Sequence, residues 1–153
     1  MKSKYFFHLL LMLIALNAFA NDNDSTNGSW NIQLRGDYGF IIAHRPPLEP
    51  LQEAHVKGFE ITLARTSTGI KEWQNLFQFP DYGITLATFD LGSPSHLGKG
   101  IAIYPFIDFP LGKNASKGLH FRYGMGLGYV EKIFNASDNF KNAAVGSHLN
   151  GII

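Results

Sequence analysis

The sequence predicts an all-β fold, specifically an antiparallel up-and-down membrane β-barrel, and three observations carry that expectation. The first is the run Leu119–Tyr129, LHFRYGMGLGY, in which large apolar residues alternate strictly with His120, Arg122 and three glycines. Successive strand residues point to opposite faces, so one face is aromatic and greasy while the other is small or cationic. The second is that no apolar run after residue 20 is long enough for a transmembrane helix, which takes about 20 residues. The third is compositional: 16 glycines, 14% aromatic residues and no cysteine. Without disulfides, a small exported chain needs another source of stability, and a lipid-embedded barrel with aromatic girdles supplies one. The rival is a soluble lipocalin-like periplasmic binder, which carries the same alternation with its apolar face inward.

Residues 1–20 read as a cleavable signal peptide. Lys2 and Lys4 precede an apolar stretch from Tyr5 to Leu16, and Ala18-Phe19-Ala20 is a cleavage-type ending. Residues 21–29, NDNDSTNGS, form a flexible polar leader. The domain, residues 30–153, then opens with a strand from Trp30 to about His44. Trp30, Ile32, Leu34, Tyr38, Phe40 and Ile42 share one face, and Asn31, Gln33, Arg35 and Asp37 share the other. Three prolines make 45–55 a loop. A second strand covers Val56–Ala64, with Phe59, Ile61 and Leu63 opposite Gly58, Glu60 and Thr62. Residues 67–80 are irregular and predict a wide turn with part of a strand. Tyr82–Phe89 is the third strand and Gly100–Phe109 the fourth. Within the fourth, Pro105 lacks the ladder donor and predicts a bulge or bend. Leu119–Tyr129 is the fifth strand. A polar loop follows over 131–142, and a sixth strand starts near Ala143.

Six such strands match the weak per-strand signature of membrane barrels. Six strands would leave an edge that lipid cannot satisfy. The expectation is therefore an incomplete barrel, short of about two strands of an eight-stranded whole. Polar residues would line the lumen, where His120 and Arg122 are expected to pair with Asp37 or Glu60.

Thirteen basic and twelve acidic residues give a formal charge of +1, so no nucleic-acid footprint is present. No G-x-S-x-G, H-E-x-x-H or phosphate-binding glycine loop occurs, and no cofactor or metal is expected. Ser147 and His148 are adjacent, so a regular strand would send them to opposite faces. His148 and Asn150 share a face and are the only catalytic candidates, with a lumenal hydrogen-bonded pair as the plainer expectation. Ser93, Ser95 and His96 fall in a loop. N-x-S matches stand at Asn23, Asn27, Asn114 and Asn135 and arise by chance in Asn- and Ser-rich loops.

The stretch FRYGMGLGYVEKIFNASDNFKNAAVGSHLNG resembles the acyloxyacyl hydrolases of the Bacteroidetes, relatives of the lipid A 3-O-deacylases. DYGFIIAH, GIKEWQ and YPFIDFPLG agree with it, so the resemblance spans nearly the whole mature chain. It implies an eight-stranded outer-membrane barrel that hydrolyses an ester-linked acyl chain of lipid A in lipopolysaccharide, surrounded by outer-membrane lipids. The family's triad is Ser, His and an acid, with Ser and His in an H-x-S-N motif. In that chemistry His takes the serine proton, the carboxylate holds the imidazole tautomer and Ser attacks the ester. This chain contains no H-x-S-N; the nearest string is His148-Leu149-Asn150. The triad is therefore expected beyond Ile153, and the chain as written is expected to be inactive. A sharper alternative aligns His148 with the catalytic histidine of a barrel that lost its nucleophile. A barrel with a purely structural or lipid-binding role is the non-enzymatic alternative.

Overall fold

The computed structural model describes residues 28–112 and 118–153. The expected signal peptide, most of the expected polar leader, and Asn23, Asn27 and Asn114 lie outside those residues. The elements in chain order are β1 (Trp30–Gly39), a 3-10 turn (Pro46–Leu51), β2 (Val56–Arg65), a short helix α1 (Glu72–Leu76), β3 (Asp81–Asp90), β4 (Lys99–Leu111), β5 (Leu119–Gly124), β6 (Gly126–Val130) and β7 (Leu149–Ile152). They form one antiparallel sheet in the order β1-β2-β3-β4-β6-β7, with β5 also on β4. Among the described residues β1 and β7 are its two edges, so the sheet is open.

Strands β5 and β6 are one alternating run. Phe106 pairs with Gly124 on one side of the gap and Ile103 with Leu127 on the other, so no residue is gained or lost between them. The gap faces Pro105. The Met125 amide donates to the Pro105 carbonyl at 3.3 Å, but Pro105 has no N–H to return the bond. The bulge expected at Pro105 is thus a broken ladder with intact register. Pro105→Val is expected to supply that donor, joining β5 to β6. The gain should be about 1 kcal/mol, with slower amide exchange at Met125 as its direct sign.

Three other boundaries differ from the sequence expectation. The first strand ends at Gly39 rather than near His44, because Gln52 Nε2 takes the Ile41 carbonyl at 2.8 Å and turns the chain into the loop. The 67–80 segment holds α1 and no strand. The Gln74 side chain accepts from the Gly69 and Lys71 amides, and Asn75 Nδ2 donates to the Gly69 carbonyl at 2.6 Å. The last strand starts at Leu149 rather than Ala143. Asn142 Oδ1 accepts from the Ala144 and Val145 amides, and its Nδ2 donates to the His96 and Lys132 carbonyls. These bonds hold the chain in a turn.

The faces separate as the alternation requires. On one face Ile32, Leu34, Ile61, Leu63, Ile84, Leu86, Ile103 and Leu127 are all exposed, Leu63 the least at 42%. On the other, Ala64, Ala87, Ala102, Thr62, Thr85, Glu60 and Phe106 are buried. The sheet curls toward this second face. Arg122 Nη2 on β5 reaches Gln33 Oε1 on β1 at 3.2 Å, across the inside of the curve.

Candidate functional site

The concave face is a built polar surface. Arg35 is its first anchor: Nη2 lies 2.5 Å from Glu60 Oε2 and Nε 3.2 Å from Asp37 Oδ1. Glu60 also accepts from Tyr104 Oη at 2.9 Å. Tyr104 reaches past β3 to Glu60 on β2, and Gly124 and Gly126 on its other side leave room for it. A Cβ at Gly124 would sit 2.8 Å from the Tyr104 ring, and one at Gly126 would sit 2.6 Å from the Tyr104 Cα. The spaced glycines of the Leu119–Tyr129 run therefore seat a tyrosine on the concave face. Between these groups the Thr62 and Thr85 hydroxyls bond each other at 2.8 Å.

Asp108 is the second anchor. Arg122 donates to its Oδ2 from Nη2 at 3.0 Å and from Nε at 3.3 Å, and His120 Nδ1 lies 3.5 Å from its Oδ1. The Arg122 guanidinium also lies 4.2 Å from the centre of the Phe106 ring. The acid facing His120 and Arg122 is thus Asp108, not Asp37 or Glu60. Asp108 stands directly opposite Arg122 in the ladder, while Asp37 and Glu60 are taken by Arg35. Beside these anchors a groove of about 550 Å³ opens along the sheet, with Arg35, Glu60, Tyr104 and Arg122 below and Phe89, Leu91, Val130 and Ile152 among its apolar walls.

The two catalytic candidates point their polar groups at the backbone. His148 Nδ1 bonds the Val130 carbonyl at 2.8 Å, and its ring stacks on Tyr129 with centroids 5.3 Å apart. Asn150 Nδ2 donates to the Ser147 and His148 carbonyls at 2.8 and 3.3 Å. Ser147 Oγ donates to the Leu149 carbonyl at 2.6 Å. The His148 arrangement recurs at another hairpin mouth: His55 Nδ1 bonds the Gly39 carbonyl at 3.2 Å, and its ring stacks on Tyr38 at 4.8 Å. A carbonyl acceptor fixes the proton on Nδ1 in both. Two copies of one arrangement at equivalent strand ends make it a clasp that ties a descending strand to the one before it.

The loop residues Ser93, Ser95 and His96 join a second polar cluster where loops 40–55, 91–98 and 131–148 meet. His96 Nδ1 bonds Asn139 Oδ1 at 2.9 Å, and its Nε2 lies 3.4 Å from Glu53 Oε1. The Ser95 amide donates to Glu53 Oε2 at 2.9 Å. Both ring nitrogens of His96 are engaged, and Ser93 Oγ is buried with no hydrogen-bond partner among the described residues. Asn135 Oδ1 caps the Ser137 and Asp138 amides. Among the described residues no three His, Asp or Glu side chains converge as metal ligands, and no hydroxyl, imidazole and carboxylate line up as a nucleophile, base and orienting acid.

The sequence reading missed Asp108 and Tyr104, and placed Gln33 on the polar face without its partner Arg122. Asp108 was findable: once Leu111 faces Leu119, the hairpin register places it opposite Arg122. Tyr104 and Gln33 act across the curve, and alternation carries no signal for that. No family model matches the chain, and neither does any curated protein or solved structure.

Proposed function

We propose that this sheet is the wall of an outer-membrane β-barrel of the acyloxyacyl hydrolase type, whose activity is removal of an ester-linked acyl chain from lipid A. One observation carries the membrane half of this reading: the greasy face is the exposed one and the polar face is the buried one. A soluble lipocalin-like barrel requires the reverse. The dimensions agree. Strands β1 to β3 are 10 residues long and β4 is 13, against about 9–11 for a tilted membrane strand. On β4 and the β5–β6 run the apolar face extends from Ile101 and Tyr129 to Leu111 and Leu119. Ten residue steps are ~33 Å along the strand, which a tilt of about 40° reduces to ~25 Å, the height of an outer-membrane apolar band. Aromatic residues cluster in it at two levels: Trp30, Tyr82 and Tyr123 share the register row of Ile107, and Tyr38 and Tyr129 lie toward the other end. The bond between β1 and β5 fits a narrow barrel whose interior is filled by side chains, as an eight-stranded one is.

The hydrolase half rests on the sequence resemblance. With the His148 and Asn150 side chains both bonded to main chain, the described residues serve the barrel as a scaffold, and a non-catalytic lipid-binding barrel is the second reading. Mass spectrometry of lipid A from cells with and without the full gene separates the two: loss of one acyl chain supports the hydrolase, and unchanged lipid A defeats it. The membrane half has its own test. Ile61→Arg, at the middle of the exposed face, is expected to lower stability in bilayers by about 2–4 kcal/mol. The change should also move the protein out of the outer-membrane fraction of a sucrose gradient.

A further inference from the structure

Membrane barrels ordinarily connect strands on the side of their termini with short turns. Here the connection from β2 to β3 spans residues 66–80 and projects large apolar side chains. Ile70 is 71% exposed and Leu76 75%. The projection is rigidly held. Gln78 and Phe79 both adopt left-handed backbone conformations, φ 59° and 60°, which non-glycine residues occupy at a cost. The Phe79 amide donates to the Gln74 carbonyl at 2.7 Å, and Ser67 Oγ donates to the Pro80 carbonyl. The segment continues the apolar face of the sheet, since Phe77 meets Phe109 edge-on at 5.6 Å and Trp73 meets Tyr82 at 6.2 Å.

At the foot of this projection lies a pocket of about 160 Å³ lined by Arg65, Thr66, Thr68, Ile70, Lys71 and Tyr82, among others. Its lining carries two cations and no carboxylate, with the Asp81 carboxylate behind it bonded to Thr66. Neither Arg65 nor Lys71 forms an ion pair among the described residues; the Arg65 guanidinium lies over the Trp30 ring at 5.5 Å. Two unpaired cations beside hydroxyls suit a phosphate. Exposed Ile70 and Trp30 alongside suit the hydrocarbon attached to it.

We propose that the 66–80 segment is a lip seated in the membrane leaflet on that side, and that the Arg65–Lys71 pocket holds the phosphate of a membrane phospholipid. This rests on the membrane reading above. The guanidinium supplies planar N–H donors and the lysine a mobile ammonium, while Ile70 and Leu76 lie among the acyl chains. The site anchors the protein in its bilayer.

The test uses the full chain in maltoside micelles, which contain no phosphate. Dihexanoyl-phosphatidylglycerol is titrated in, and amide shifts of Thr66, Thr68 and Lys71 are followed by NMR. Saturable shifts are expected. Arg65→Gln with Lys71→Gln should weaken the binding about 25-fold, taking about fivefold for each cation near an anionic lipid surface. Ile70→Ser should weaken it while leaving the fold intact, and inorganic phosphate at the same concentration should leave the amides in place. Absence of saturable shifts, an unchanged affinity in the double variant, or an equal response to inorganic phosphate would each overturn the lipid site. The membrane reading fails separately, if the full chain stays folded and dispersed without detergent.

Discussion

Arg35→Ala is expected to cost about 3 kcal/mol, the scale for leaving one partner of a buried ion pair alone. The asymmetry of the pair sets the size. The Arg35 side chain is half exposed, whereas that of Glu60 is 4% exposed and faces inward. Removing the guanidinium strands a carboxylate whose remaining partner is the Tyr104 hydroxyl. Urea unfolding in micelles measures the loss. Adding Glu60→Gln should restore most of it, because the neutral amide still accepts from Tyr104 and no longer needs a counter-charge. A double variant as unstable as Arg35→Ala alone would show that packing of the arginine stem, not charge, is what the site requires.

Gly126→Ala is expected to be as damaging, for a steric reason. The added Cβ would lie 2.1 Å from the Ile103 carbonyl oxygen and 2.6 Å from the Tyr104 Cα. Both are backbone atoms of the paired strand, so neither can rotate away. Overpacking of this kind costs about 3 kcal/mol, and here the strain falls beside the ladder break at Pro105. Gly36→Ala is the control: a Cβ there meets nothing within 4 Å, so its midpoint should stay within about 0.5 kcal/mol of the parent. Equal effects at the two glycines would mean that the Gly126 cost is a loss of backbone freedom in general rather than the close approach of Tyr104.

Much of this architecture was legible because alternation is a strong local signal. Leu119–Tyr129, Val56–Ala64 and Tyr82–Phe89 were placed within a residue or two of their observed limits, and each face was assigned from parity alone. The errors fell where side chains override the backbone pattern. Phe40 and Ile42 continue the alternation of β1, yet Gln52 captures the Ile41 carbonyl and ends the strand. Asn142 does the same to the start of the last strand by gathering four main-chain groups. Neither bond has a periodic signature. The polar interior was legible in kind but not in pairing. Arg35, Glu60, Asp37 and Arg122 were all placed on one polar face, but choosing Asp108 over Glu60 for Arg122 needed the hairpin register. For His148 the sequence offered a shared face with Asn150. The deciding facts were the stack on Tyr129 and its twin at His55, separated from it by most of the chain.

The bond from Arg122 to Gln33 joins residues 89 apart in sequence, whereas the hairpins on either side close over far shorter spans. The entropic cost of joining two points on a chain rises with the length between them, and topologies rich in distant contacts assemble slowly. Neighbouring hairpins are therefore the inexpensive early events in assembly of this chain. The transverse bond becomes available only once five successive strands have aligned and begun to bend. Until then the cationic end of Arg122 has no amide across the curve to meet, and the nascent sheet is a flatter ribbon with its polar side still wet. Curvature is a late acquisition in the life of the molecule, and the polar interior is the fastening that makes it permanent.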